Sequence, residues 1–303
     1  MNERPVLRTL RELDGLRDPL LVATFVRRNG FNSTAAASLG QYAQHHDAEI
    51  VAEIDPDAFY DFTVVPPTVH PEDGQRIVEW PKNEFRLVSA EGSARDVIVL
   101  AGIEPHLRWQ AFAETLQGFI EQHSIGEVLV LRTWPAAVPH TRPTVMRLTS
   151  SSDEMAEKLG LNANQTPYRG PVDFGGVLSA AHSNAGGMAA GLTAVVPNYL
   201  GVVPNPYAMV ALTRALDRLA ATETPVDDFQ EAANQLGVRA DEEMEKSDDL
   251  RTAVHELEDS YESIVEQMTG GIVDADGSDE LPSPDELLAD VERFLQGEAN
   301  DKT

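Results

Sequence analysis

Asp96-Val97-Ile98-Val99-Leu100-Ala101-Gly102-Ile103 decides the fold. A run this short and this continuously apolar, with no polar alternation, is covered on both faces. That is the condition of a central strand in a parallel sheet. Leu107–His123 follows, with Leu107, Ala111, Phe112, Leu116, Phe119 and Ile120 on one helical face. Glu127–Thr133 then repeats the strand pattern, so the segment is a strand-helix-strand crossover unit.

Working outward, the same alternation continues. Upstream, Pro19–Arg28 reads as a buried strand, Gly30–His46 as a helix and Glu49–Asp55 as a strand that Asp57–Phe62 extends or pairs with. Val64–Pro81 carries four prolines and a glycine and is expected to be irregular, with edge strands at most. Phe85–Ser89 is a strand that forms a hairpin with part of it. Downstream come a short strand Val145–Thr149, helices at Ser152–Leu159 and Phe174–Gly187, and a buried strand Leu192–Val196. Asn205-Pro206 is a helix start, Asn at the cap and Pro in the first turn, before a stripe of Met209, Leu212, Leu216 and Leu219. Short apolar strands between amphipathic helices specify an α/β body with a mainly parallel sheet, expected over Met1–Thr222.

After Thr222 the pattern turns helical and acidic. Glu223–Thr303 holds 25 Asp/Glu against 5 Lys/Arg, a net of −20 out of −27 for the whole chain. Helices are expected at Asp227–Leu236 and Asp241–Met268, the second with a seam of Leu250, Val254, Leu257, Tyr261, Ile264 and Met268 and an end at Gly270-Gly271. Beyond an acidic linker, Ser283-Pro284-Asp285-Glu286 is a capping box that opens a last helix with Leu287, Leu288, Val291, Phe294 and Leu295 on one side. Two apolar stripes in so charged a region must dock, on this chain's own body or on a neighbour.

Composition excludes several classes. There is no cysteine, hence no disulfide, thiolate metal site or cysteine nucleophile. Arg27-Arg28 is the one adjacent basic pair, so nucleic acid and anionic membrane are not expected partners. The start of the chain has no apolar run, and Gly186–Val203, the most apolar stretch, is broken by Pro197-Asn198. A soluble cytoplasmic protein is expected. No P-loop, dinucleotide fingerprint or nucleophile elbow is present. His45-His46-Asp47 closes a helix, Asp274–Asp285 departs from a calcium loop at its glycine and its last ligand, and Glu53, Asp55 and Asp57 read as a solvated turn. No metal and no cofactor are expected.

What remains is a set of residues that follow strands. In a parallel sheet, ligands and partners meet the residues beyond the strands' carboxyl ends. Glu104 and Trp109 follow the strand to Ile103, Trp134, His140 and Arg142 follow the strand to Thr133, and Tyr199 follows the strand to Val196. Aromatics and arginine on one rim suit recognition of a ligand or a protein. The plainer reading is that they pack the loops, with Arg142 paired to Glu104.

These residues carry a resemblance. Gly102-Ile103-Glu104-Pro105 with Trp109, Pro139-His140-Thr141-Arg142-Pro143, Tyr168-x-Gly170-Pro171, Gly175-Gly176-Val177-Leu178, and Leu192-x-Ala194-Val195-Val196-Pro197-x-Tyr199 with Asn205-Pro206 resemble the proteasome assembly chaperone superfamily, in its actinobacterial-type branch. The resemblance covers Leu20 to Leu219. It implies a three-layer α/β/α body like that of nucleoside phosphorylases without their catalytic residues, protein binding in place of catalysis, and a homo-oligomer, a trimer preferred over a dimer. Several members dock on the proteasome through a C-terminal hydrophobic-Tyr-x tail. This chain ends Glu298-Ala299-Asn300-Asp301-Lys302-Thr303, without that tail. The expected function is a non-catalytic assembly factor or scaffold. The alternative is a nucleoside- or nucleotide-like small-molecule binder or enzyme using the phosphorylase-like cleft, for which Arg142 and the Gly186-Gly187 amides are the available phosphate donors.

Overall fold

The computed structural model describes residues 6–27, 30–72, 74–90, 93, 95–163, 169–201 and 203–269. Arg28, Tyr168, the Gly270-Gly271 helix end, the acidic linker, the Ser283 capping box and the Leu287–Leu295 stripe lie outside the described residues.

In chain order the strands are β1 (Leu7–Thr9), β2 (Leu20–Val26), β3 (Glu49–Ile54), β4 (Thr68–Glu72), β5 (Gln75–Glu79), β6 (Asn83–Val88), β7 (Val97–Ile103), β8 (Glu127–Ala136), β9 (Met146–Ser150) and β10 (Met188–Pro197). The helices are α1 (Ser33–His45), α2 (Trp109–Gln122), α3 (Asp153–Leu159), α4 (Phe174–Asn184), α5 (Pro206–Ala220), α6 (Asp227–Lys246), α7 (Asp248–Asp259) and α8 (Tyr261–Thr269). Eight strands make one sheet in the order β1-β3-β6-β7-β2-β8-β10-β9. Its centre, β7-β2-β8-β10, is parallel throughout, with Leu20 paired to both Val97 and Glu127. The flanking strands β6, β3, β1 and β9 are antiparallel to their neighbours.

Alternation along each central strand fills two cores. Val97 and Val99 face a layer made by α1, α3 and α5, through Leu39, Tyr42, Met155, Leu212 and Leu216. Ile98 and Leu100 face α2 and α4, through Phe112, Leu116, Phe119, Phe174 and Leu178. The body is therefore a three-layer α/β/α sandwich, and the continuous apolarity of the strands is the cost of covering both faces. Each fully buried Leu or Phe here contributes roughly 1.5–3 kcal/mol of transfer free energy.

Five local expectations are corrected. Asp57–Phe62 does not extend β3; Pro56–Ala58 is a 3-10 turn, capped by Asp55, whose carboxylate accepts from the Asp57 N–H at 3.1 Å. β6 does not pair with the proline-rich segment but lies between β3 and β7, while β4 and β5 pair with each other in a separate ribbon. β8 runs on to Ala136, which puts Trp134 inside the strand. The helix expected at Asp227–Leu236 continues to Lys246, and the long one expected over Asp241–Met268 is broken at Ser247, whose hydroxyl caps α7 by accepting from the Leu250 N–H at 3.3 Å, and again at Ser260.

The seam of these helices meets its own chain. Tyr261, Ile264, Val265 and Met268 pack on Val138, Val145 and Val195. The Tyr261 hydroxyl donates to the Pro143 carbonyl at 2.7 Å, and the Thr141 hydroxyl donates to Glu258. Among the described residues no helix is long and apolar enough to cross a membrane.

Candidate functional site: the carboxyl edge of the sheet

The carboxyl ends of β7 and β8 and the amino end of α4 converge on one ionic cluster. Arg132 is the single charge in the otherwise apolar Val128–Thr133 stretch of β8. Its guanidinium grips Asp173 with two bonds, Nε to Oδ2 at 2.7 Å and Nη2 to Oδ1 at 2.9 Å. Asp173 also caps α4, accepting from the Gly176 N–H at 2.7 Å. Burial works against that carboxyl's charge, yet Arg132 and the helix amide hold it below the usual carboxylate range. The guanidinium fits because its neighbours are glycines: a Cβ on Gly191 would stand 2.5 Å from Arg132 Nη1, and one on Gly175 would stand 3.0 Å from Nη2.

Glu104 lies in the same cluster, buried. Its Oε1 accepts from the Phe174 N–H at 3.0 Å, and its Oε2 meets Arg27 Nε at 3.0 Å. Trp109 packs edge-on against the Phe174 ring at 5.5 Å and donates Nε1–H to the Pro105 carbonyl at 2.7 Å. Glu104 and Trp109 thus share Phe174.

A second group forms around His140. Its ring is buried, with Nδ1 2.7 Å from the Tyr199 hydroxyl, which also accepts from the His140 backbone N–H at 2.8 Å. Nε2 stands 3.4 Å from Asp241 Oδ1 on α6. Burial, with Tyr207, Glu258 and Asp241 nearby, pushes the Tyr199 hydroxyl up to about 12. His140 and Tyr199 thus clasp each other at the end of β10, while the buried His140 Nε2 has no hydrogen-bond partner and faces Asp241 on α6.

Trp134 and Arg142 join neither group. Trp134 is 39% exposed and tilts against Phe31 at 5.7 Å. Arg142 is exposed, and its charge acts on Glu258 and Tyr261. The expected Arg142–Glu104 pair is replaced by Arg27–Glu104, because Arg142 sits on the α7 and α8 side of the loop after β8. Arg27, Arg132, Asp173 and Asp241 were missed by reasoning from sequence. The signals available were a lone arginine in an apolar strand and an Asp-Phe-Gly-Gly helix start.

This arrangement bears on anion binding. A helix amino end beside arginines is a ready phosphate seat. Here the seat is filled by the chain's own carboxylates: Glu104 takes the Phe174 amide, Asp173 takes the Gly176 amide, and the same two carboxylates neutralise Arg27 and Arg132. The Gly186-Gly187 amides offer no alternative. They donate backward to the Ser183 and His182 carbonyls and close α4 instead of opening a helix. Clefts of about 440 and 830 Å³ are lined by other residues, around Glu157 to Ala163 and around His45, Glu49 and Thr222. Among the described residues no group of three or more His, Asp or Glu is placed to hold a metal ion.

Several large apolar side chains near these strand ends are exposed: Leu107 after β7, Trp134 near the end of β8, Val172 before α4 and Val203 after β10, with Val69 and Val78 in the separate β4–β5 ribbon and Trp80 just after it.

Comparison with known proteins agrees with this body plan. A family model described as the PAC2 family matches residues 35–244. A PAC2 family protein from Streptomyces avermitilis is 31% identical, with a TM-score of 0.68 over 74% of this chain and 95% of that one. A Mycobacterium tuberculosis proteasome-assembly chaperone homologue is 30% identical, with a TM-score of 0.69 over 78% and 99%. An archaeal proteasome activator from Pyrococcus furiosus shares the fold at 15% identity, with a TM-score of 0.59 over 78% and 97%. No curated protein matches the chain.

Proposed function

As the chain belongs to the PAC2 family, we propose that it is a non-catalytic assembly factor that binds other proteins through the carboxyl edge of its sheet. The observation that carries this reading is the pairing of a self-occupied anion seat with a rim of exposed apolar side chains. A catalyst needs unpaired groups aimed at a substrate. Here the two carboxylates and two arginines of the Arg132 cluster are spent on one another, and apolar side chains after the neighbouring strands are exposed. The similarity to a mycobacterial proteasome-assembly chaperone homologue makes subunits of a proteasome the first client class to test. We place the protein in the cytoplasm and read it as a homo-oligomer.

Two measurements test the reading. Co-purification from the native host under mild conditions is expected to recover a defined set of proteins with the wild type and to lose them with Trp134→Ser plus Val203→Ser. Recovery unchanged by that pair would refute the rim. Thermal melting with nucleosides, nucleotides or phosphate at millimolar concentration is expected to show no shift, since a ligand well above its Kd must raise the melting point. Phosphate-dependent nucleoside cleavage abolished by Arg142→Ala would establish the small-molecule alternative.

A further inference from the structure

His140 sits where the loop after β8, the turn after β10 and α6 meet, and one of its ring nitrogens is left over. The side chain is 2% exposed. Nδ1 stands 2.7 Å from the Tyr199 hydroxyl, and Nε2 is buried with no hydrogen-bond partner. Asp241 Oδ1, on α6, lies 3.4 Å from Nε2. A buried polar group left unpaired costs free energy, and each one in a fold needs a reason.

The protons around this ring follow from its neighbours. The Tyr199 hydroxyl, raised by burial, keeps its proton through the neutral range. Its oxygen already accepts from the His140 backbone N–H at 2.8 Å. A lone pair on Nε2 would face the Asp241 carboxylate and be repelled by it. The neutral ring therefore carries its proton on Nε2, and Nδ1 accepts from the phenol. The charged surroundings are unbalanced. Tyr207 on α5, Asp241 on α6 and Glu258 on α7 all act on the Tyr199 hydroxyl. Glu258 is held by Thr141 and by the exposed His255 of α7. Arg142, in the same loop as His140, is exposed and acts on Glu258. Two carboxylates thus stand around the His140–Tyr199 pair, and the one cation is on the solvent side.

We propose that His140 is a proton-operated clasp between the α/β body and α6. A proton taken from solvent at Nδ1 makes the ring an imidazolium. Nδ1–H then donates to the Tyr199 oxygen, whose own O–H turns away, and the ring gains a full charge with Nε2–H 3.4 Å from the Asp241 carboxylate. A dipole facing a carboxylate becomes an ion pair. The loop after β8 grips α6 more tightly in mild acid than in mild alkali, because imidazole is the side chain that changes charge in that range. The grip reaches α5 as well. A Cβ on Gly237, one turn before Asp241, would stand 2.8 Å from the Tyr207 hydroxyl, so α6 touches α5 there. Tyr199 and Tyr207 bound the loop that carries Val203, 65% exposed. For that apolar surface the inference rests on the assembly-factor reading; the clasp itself does not.

Urea unfolding of the full chain at about pH 5.5 and about pH 8, either side of the imidazole range, tests the clasp. Asp241 is 60% exposed, so Asp241→Asn is expected to fold. It should lower the folding constant at both pH values, and by roughly threefold more in acid, the scale of a partly wetted ion pair. In a His140→Gln background that extra acid loss should vanish. An Asp241→Asn loss that is equal at the two pH values, or larger in alkali, overturns the inference whether or not the His140 variant folds. So does an extra acid loss that persists without the imidazole. The two readings fail separately. If Trp134→Ser plus Val203→Ser keeps every partner protein while the acid-dependent loss is seen, the rim falls and the clasp stands; if the partners are lost and the Asp241→Asn effect ignores pH, the clasp falls and the assembly-factor reading stands.

Discussion

The two edges of the central sheet each hold a knot of opposite charges, and they are built for different ends. At the amino edge, Arg95 Nη1 meets Glu127 Oε2 at 2.8 Å with both side chains 5% exposed. Lys158 Nζ takes the other Glu127 oxygen at 3.0 Å, and Arg95 Nε donates to the Asp18 carbonyl at 3.2 Å. Ser93 there bonds the Ala220 carbonyl at the end of α5 at 2.9 Å. That knot ties strand starts to a helix end and has little access to water. At the carboxyl edge, Arg132 and Asp173 are about one-fifth exposed and Arg27 about half, with apolar side chains left bare around them. The first knot holds the fold. The second arranges a surface.

Stability should separate them. Glu127→Ala removes the buried carboxylate of Arg95 and leaves it only the exposed Asp18 carboxylate at 3.3 Å, and is expected to cost about 3 kcal/mol, the low end for breaking a buried ion pair. Asp173→Ala removes a helix cap and a partly wetted ion pair and is expected to cost about 2 kcal/mol. Urea unfolding of the two variants measures both. Equal costs would break the contrast between the edges.

Acid should act on both knots in the same direction. Against the effect of burial, cationic partners hold the Glu127 and Asp173 carboxyls below their ordinary values in the fold. Each therefore adds stability that is fully present above the unfolded-state pKa and is lost as pH falls through the lower folded-state value. Stability profiles from neutral pH into the acid range should fall less steeply for Glu127→Gln and Asp173→Asn than for the wild type. A steeper acid fall in either variant would contradict the assigned direction.

The parts of the fold visible in sequence were those where one physical demand dominates. Two-sided burial made Asp96–Ile103, Glu127–Thr133 and Leu192–Val196 continuous apolar runs, and each is a central strand. Asn205-Pro206 opened α5 as composition predicts, with the Asn205 side chain accepting from the Tyr207 and Ala208 amides. Where two demands compete, the sequence was ambiguous. β4 and β5 are five residues each, carry a proline and pair only locally, so their pattern resembles a loop. Ser247 reads as an ordinary polar residue of an acidic helix until its hydroxyl is seen capping α7. At the edge of the sheet, rank along the chain put Glu104 and His140 near strand ends but could not pair them. The partners, Arg27 and Asp241, come from segments distant in sequence, and only the crossover topology brings them in.

The smallest expected effect is at Arg142, and it sharpens the contrast from the other side. This residue lies in the loop after β8, exposed, with its charge felt by Glu258 and Tyr261. An exposed charge of this kind is screened by salt and worth little to the fold. Arg142→Ala is therefore expected to change stability by no more than about 0.5 kcal/mol. Its loss also removes a positive charge that favours the Tyr261 phenolate, so the Tyr261 hydroxyl, already raised by burial, should titrate higher still. Ultraviolet titration of tyrosine in the variant reads that shift. A destabilisation as large as that of Asp173→Ala would mean that Arg142 is tied into the loop's structure. The edge would then hold a third knot, and less of it would be free surface for a partner.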